Sequence, residues 1–418
     1  MPYFTSLRPY TGKRIEEIGS ADILFGIPCY NNESTIEHVI QMVTHGLAKH
    51  YQDKRSVIFI SDGGSTDDTR DVSKEFQIKP WQEKIVSIYR GHPGKGTALR
   101  SVFEAAVKLN VKACAMVDSD LRSISPDWVK YLVEPVLSEG YQYVSPVYQR
   151  HKYDGTITNN VVYNLTRALY GKRVRQPIGG DFAISRDLAK YYAEQDVWES
   201  EVARFGIDIW MTTSAITQGF KVCQANLGLK VHDAKDPASH LGPMFRQVIW
   251  TLFNLMERYE GVWKTVEGSE PVETFGGGGG GEPEPVKVNL EALIENFQSG
   301  YKNFSALWKE IFCGDCFKAI EAASTMDANN FNLPTAAWVQ ILYELAATYH
   351  AWDQHRMRLL DLVTPLYYAR VASFVRQSWD MTSAEAEELV EEQAQEFEDH
   401  KDYLINVWGR GPAKACLT

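Results

Sequence analysis

From residue 23 to about 235, short β-branched or apolar runs alternate with stretches in which apolar side chains recur every three or four positions. The runs suit strands covered on both faces and the longer stretches suit amphipathic helices, so their alternation predicts βαβ units around a mostly parallel sheet. Strands are expected at 23–27, 56–61, 85–89 and 113–117, with helices at 34–47, 69–75 and 97–108 between them. Asn32 to Ser34 and Ser65 to Asp68 offer capping side chains to the first two helices. The six-glycine run 276–281, followed by Glu-Pro-Glu-Pro, has almost nothing to bury and reads as a linker over 271–287. It separates an expected α/β domain at 1–270 from an all-helical one at 288–418, with helices at 288–312, 338–350, 356–378 and 383–407. Thr382-Ser-Ala-Glu385 has capping-box spacing. The aromatics Trp308, Trp338, Tyr349, Trp352, Tyr367 and Tyr368 are expected to pack a core rather than to line a pocket.

A formal charge of −11 leaves no broad basic surface for a phosphate backbone, which argues against a nucleic-acid partner. No window approaches the roughly 18–20 apolar residues of a membrane helix, and the first 19 residues are too polar for a signal-peptide core. A cytoplasmic protein without a membrane span is therefore expected. Cys29, Cys114 and Cys223 sit inside apolar runs, and Cys313, Cys316 and Cys416 form no disulfide framework with them. Cys313-Gly-Asp-Cys316 has the spacing of a redox or zinc pair, but no second pair completes a structural zinc site, and the reading is of ordinary helix-end cysteines.

Chemistry gathers at the expected strand ends, where open α/β sheets bind ligands. Strand one ends in Ile-Pro-Cys-Tyr-Asn-Asn-Glu at 27–33, and strand two in Ser-Asp-Gly-Gly-Ser-Thr-Asp-Asp at 61–68. There Asp62 either accepts from a base or ribose or simply shapes a turn before a capped helix. His92-Pro-Gly-Lys-Gly96 lacks the full phosphate-loop pattern, but can bring the Lys95 ammonium to a diphosphate at a helix N-terminus. Asp118-Ser119-Asp120 puts two carboxylates at the end of strand four, the means by which a divalent cation is held against a diphosphate. Gly179-Gly180-Asp181 permits close backbone approach to a sugar or acceptor. Asp208 lies at the start of a helical run, where it is either a cap or a sugar contact.

Taken in order, Pro28…Glu33, Asp62 to Asp68, Pro93-Gly-Lys-Gly96, Asp118-Ser-Asp-Leu121, Pro177-Ile-Gly-Gly-Asp181, Gly206-Ile-Asp208, Asn226-Leu-Gly…His232 and Met244-x-Arg-Gln247 resemble the retaining glucosyl-3-phosphoglycerate and mannosyl-3-phosphoglycerate synthase family. The related glucosylglycerate synthases are similar too. The resemblance covers about 22–255 and leaves the helical third unexplained. It implies a GT-A fold and a transferase that moves glucose or mannose from a nucleotide-diphosphate sugar to D-glycerate or 3-phosphoglycerate, giving a compatible solute or its precursor. By the same resemblance Pro28, Tyr30, Glu33, Asp62, Lys95, Asp118 and Ser119 contact the donor, and Asp120 with His232 hold Mg²⁺ or Mn²⁺. Asp208, Asp181 and Lys95 then serve the chemistry. Arg150, Thr156, Thr158 and Gly180 belong to the acceptor side, where Thr156 stands in place of the family's phosphate-binding arginine and tilts the reading toward glycerate. A homodimer is expected. Two alternatives stay open: an inverting transferase with Asp181 or Asp208 as base, and a nucleotide-sugar sensor without catalysis.

Overall fold

The computed structural model describes residues 4–232, 237–277, 281–352 and 356–409, with two compact units among them. The sheet unit comprises Met1–Gln149, Val174–Asp233 and Pro271–Pro283; the helical unit comprises Arg150–Arg173, Ala234–Glu270 and Glu284–Thr418. The chain thus passes between units several times, whereas the sequence reading expects one boundary within 271–287. Residues 274–275 pair in the sheet, and the helix over 163–170 packs its side chains into the helical unit. Gly278, Gly279 and Gly280 of the expected linker, and Cys416, lie outside the described residues.

In the sheet unit, β1 (Ile23–Cys29), β2 (Ser56–Asp62), β3 (Gln82–Ile88), β4 (Ala113–Met116), β5 (Tyr143–Gln149), β6 (Phe182–Ser185), β7 (Val222–Leu229) and β8 (Thr274–Phe275) form one sheet. Their order is β8-β7-β5-β6-β4-β1-β2-β3. β6 runs antiparallel to β4 and β5, and the other pairs are parallel. This is the expected GT-A-like α/β architecture. The inner strands β1, β2 and β4 are buried at every position, as strands covered on both faces must be, while the edge strand β3 alternates buried and half-buried residues. The helices Ile36–His50, Thr69–Glu75 and Lys95–Lys108 follow the predicted pattern; the third begins two residues early, which places Lys95 at its first position. The predicted capping of the first helix is not made, since Thr35 stands at the cap without a side-chain bond.

The helical unit contains Pro237–Arg258, Leu290–Ile311, Gly314–Ser324, Thr335–Ala351, Arg356–Gln377, Ser383–Asp399 and Lys401–Trp408. The helix expected over 383–407 breaks at His400, and the capping box of Thr382 and Glu385 forms at its start. Trp308, Trp338, Tyr349 and Tyr367 are fully buried, as core aromatics should be, whereas Trp352 is partly exposed. Trp338 Nε1 donates to the Asn160 carbonyl at 2.8 Å, so the indole loses no hydrogen bond on burial. No described helix is long and apolar enough to cross a membrane.

Candidate active site

At the carboxyl edge of the sheet, β4 ends and the chain turns into Asp118-Ser119-Asp120. Because β6 is antiparallel to β4, with Met116 opposite Phe182, the residues entering β6 lie beside those leaving β4. The Asp118 backbone N–H accordingly donates to Asp181 Oδ1 at 2.7 Å. Two lysines converge on the same carboxylates. Lys95 Nζ lies 2.8 Å from Asp118 Oδ1 and 3.3 Å from Asp208 Oδ2, and it donates to the Gly180 carbonyl at 3.3 Å. Lys230, just beyond β7, reaches Asp118 Oδ2 at 3.3 Å, Asp181 Oδ2 at 3.0 Å and the Gly179 carbonyl at 2.9 Å.

Electrostatics follow from this arrangement. Burial alone would raise the Asp118 carboxyl, but Lys95 and Lys230 hold it well below the usual carboxylate range. Burial likewise opposes charge on Lys95, and Asp118 and Asp208 overcome it, keeping the ammonium protonated. The Asp208 carboxyl is raised by burial first, with Lys95 working against that and Asp118 reinforcing it. Asp208 Oδ1 is buried without a hydrogen-bond partner. Such an atom costs free energy until something donates to it.

The loops place these groups by close packing. The Lys95–Lys108 helix enters against the chain at Val202–Arg204: Gly96 N–H donates to the Arg204 carbonyl at 3.1 Å, and a Cβ at Gly96 would overlap the Val202 carbonyl oxygen. Gly180 has φ +96°, and a Cβ there would overlap Asp118 Oδ2 and stand 3.2 Å from Lys230 Nζ.

The donor-side residues divide into two kinds. Asp62 is wholly buried and spends its carboxylate on its own loop, accepting from Gly64 N at 2.7 Å, Ser65 N at 2.9 Å and Ser65 Oγ at 2.6 Å. Glu33 is tied to the same segment through Asp68 N at 3.0 Å. Of the two readings of Asp62, the turn-shaping one is what its bonds display. Tyr30 instead exposes 59% of its surface, next to Pro28 at the end of β1, and remains open to a ligand. Ser119 is buried, its hydroxyl donating to Asn32 Oδ1 at 2.8 Å.

Asp120 makes no hydrogen bond or ion pair among the described residues. Burial and then Asp118 raise its carboxyl, opposed by Lys230 and His232. Among the described residues, Lys95 and Lys230 are the ammonium groups that pair with the carboxyl groups of Asp118, Asp181 and Asp208, and Asp120 adds a further carboxyl nearby. That imbalance, with an oxygen donor and an imidazole at Asp120 and His232, fits a divalent cation; Asp118 has both oxygens engaged by lysines. The helical unit, by contrast, holds Arg150, Thr156 and Thr158. Thr156 is fully buried, its hydroxyl 2.7 Å from that of Tyr367, and Thr158 opens a π-helical turn, Thr158–Val162.

Sequence reasoning missed Lys230. Its signal is a lysine just after the strand β7, two residues before His232. Asp181, expected to meet the sugar, is turned inward: both oxygens are taken, one by Asp118 N–H and the other by Lys230 and the Tyr148 hydroxyl.

Residues 25–190 match the family model Glycosyl transferase family 2. The match takes in Lys95, the Asp118-Ser119-Asp120 turn and Asp181, and stops before Asp208, Lys230 and His232. That stretch, most of it in the sheet unit, is therefore similar to a glycosyltransferase domain. Among solved structures, the chain is similar to glucosyl-3-phosphoglycerate synthase from Mycobacterium tuberculosis in complex with Mn²⁺, UDP-glucose and phosphoglyceric acid: 28% identity over 60% of this chain and 86% of that one, with a TM-score of 0.45. The complex of that protein with Mn²⁺, UDP-glucose and glycerol 3-phosphate gives 28%, 60%, 86% and 0.44 in the same order. Its complex with Mg²⁺ and UDP gives 26%, 60%, 85% and 0.43. No curated protein matches the chain.

Proposed function

We propose that the protein transfers a hexosyl group, glucose or mannose, from a nucleotide-diphosphate sugar to a small acidic acceptor, D-glycerate or 3-phosphoglycerate, with retention at the anomeric carbon. One observation carries this reading: the Lys95–Asp118–Lys230 ion-pair arrangement at the sheet's carboxyl edge, with the unpartnered Asp208 Oδ1 beside it. The match of 25–190 to a glycosyltransferase family supports it.

A divalent cation, Mg²⁺ or Mn²⁺, held by Asp120 and His232 would offset charge on the leaving diphosphate. Lys95 offers a second positive charge to the same group, fixed in place by Asp118 and Asp208 rather than mobile in solvent. Tyr30 and Pro28 flank the nucleotide, with Asp62 and Glu33 acting through the loop they shape. Ser119 and the main chain of Asp118 line the ribose side. Asp208 Oδ1 accepts from a sugar hydroxyl, which supplies its missing partner. In the transfer, the bond between the anomeric carbon and the diphosphate oxygen breaks, the bond to the acceptor hydroxyl oxygen forms, and the hydroxyl proton passes to the departing diphosphate on the same face. Asp181 is a positioning residue that aligns Asp118 and Lys230. Gly180 shapes the floor of the site; Arg150, Thr156 and Thr158 belong to the acceptor reading, with Thr156 contributing through packing.

The free oxygen of Asp208 also favours a second reading, an inverting transfer in which that carboxylate removes the acceptor proton. A matrix of NDP-glucose and NDP-mannose donors against glycerate and 3-phosphoglycerate, with products read by NMR, tests both readings. A product with the donor's anomeric configuration supports retention, inverted configuration supports the second reading, and no product with any pair refutes both.

A further inference from the structure

The helical unit gathers three side chains that sugar transfer leaves unused. Cys313 stands at the N-cap position of Gly314–Ser324, and Cys316 follows within the first turn. Glu344, on the Thr335–Ala351 helix, is 7% exposed. One sulfur or oxygen from each lies within 4.8 Å of the others, and no other cluster of this kind occurs among the described residues. Both cysteines are free thiols.

The two sulfurs are unequal. Cys316 is buried, with its Sγ 3.5 Å from Gln340 Oε1, whereas Cys313 is partly open to solvent. The carboxylate of Glu344 is fixed beneath them: it accepts from the backbone N–H of Cys313 at 2.9 Å through one oxygen and from the Tyr403 hydroxyl through the other. A thiol at a helix N-terminus faces unsatisfied N–H groups, which favour the thiolate. The hydrogen bond from Cys316 is the largest influence on Cys313 and holds its thiol down to about 5 against burial, with Glu344 and Tyr403 adding to the effect. That same hydrogen bond, then burial, Glu344 and Asp315, push Cys316 far up.

We propose that Cys313 and Cys316 form a redox-active dithiol that reacts with small-molecule disulfides, Cys313 attacking and Cys316 resolving, with Glu344 fixing the main chain at Cys313. The Cys313 thiolate attacks one sulfur of the incoming disulfide, whose S–S bond breaks, releasing one thiolate and leaving a mixed disulfide on Cys313. The Cys316 sulfur then attacks Cys313 Sγ, and the second small thiolate leaves, taking up the proton that Cys316 gives up. Two cysteine thiols lose two electrons, and the small disulfide gains them as two thiols. Residues three apart at the start of a helix share a face, within the reach that disulfide geometry demands. Two thiols and a carboxylate are also zinc ligands. The unequal exposure of the sulfurs and the engagement of both Glu344 oxygens as acceptors favour exchange.

The test treats the full-length protein with oxidised glutathione, caps remaining thiols by alkylation and maps the peptides by mass spectrometry. Wild type is expected to form a Cys313–Cys316 disulfide and release two reduced glutathiones per chain. Cys316→Ser should stop at a glutathione adduct on Cys313, and Cys313→Ser should leave Cys316 unmodified. In the reduced protein, alkylation of Cys313 should reach half its maximal rate near pH 5. Unmodified cysteines after treatment, an adduct on Cys316 in Cys313→Ser, or one zinc per chain shielding both thiols until a chelator removes it, would each overturn the proposal.

Discussion

A buried ammonium costs several kcal/mol unless its N–H groups find acceptors, and Lys230 finds Asp118, Asp181 and the Gly179 carbonyl, with its nitrogen 4.8 Å from the Tyr148 ring centre. Removing it leaves the buried Asp181 carboxylate without its ammonium and takes one of two from Asp118. Lys230→Met is therefore expected to lose about 3–5 kcal/mol in a urea titration and to lose most turnover. A loss under 1 kcal/mol would show that Lys230 does not hold the site. Gly180→Ala should spare stability more than activity, because the new methyl displaces Asp118 from Lys95 and Lys230. A fall in kcat of about 100-fold with a cooperative melt is expected, the scale at which small misplacement acts on catalysis. At this scale the sequence was only partly readable. Lys95 follows a glycine before a helix and Asp118 ends an apolar strand, placements that need a reason, whereas Asp208 is marked out only by the family resemblance. The bonds of Asp62 and Asp181 were not visible, since whether a carboxylate faces a ligand or its own loop depends on backbone direction.

At the scale of elements, the parallel strands β1, β2 and β4 were legible because they read as unbroken apolar runs. β6 was not: four residues carry no period, and its antiparallel direction, which brings Asp181 to Asp118, comes from pairing with distant strands. The contact between the Gly314–Ser324 and Thr335–Ala351 helices gives a pH test. Burial pushes the Glu344 carboxyl up to about 8, above its value in the unfolded chain, with the Tyr403 hydrogen bond opposing. The folded state thus keeps a proton that the unfolded chain releases, so this stability is full below the unfolded carboxylate range and is lost as pH rises toward about 8. Cys313 acts with the opposite sign, but its largest cause, Cys316, is the same in wild type and Glu344→Gln. The melting temperature of Glu344→Gln should accordingly gain on wild type between pH 5 and pH 8. A constant difference across that range would contradict the placement of Glu344.

For the whole molecule, the division into units was the least legible feature. The glycine run invited a single cut, yet the 163–170 helix is tied to residues more than two hundred positions later, with Arg167 bonded to Glu391 and Glu398. Such pairing leaves no local signal in sequence. A chain ending at residue 270 is therefore expected to be insoluble or to lack a cooperative melt, because Trp338, Tyr367 and Glu398 would be gone from around Asn160, Thr156 and Arg167. A soluble, active chain of that length would contradict this. Metal-dependent hexosyl transfer at the proposed Lys95–Asp118–Lys230 site is tested by NMR detection of product from NDP-glucose or NDP-mannose with D-glycerate or 3-phosphoglycerate, in Mn²⁺ and again after chelation. A glycosidic product is expected in Mn²⁺, disappearing with the chelator and returning on adding the ion. No product with any donor and acceptor pair, or product formation unaffected by chelation, would contradict it.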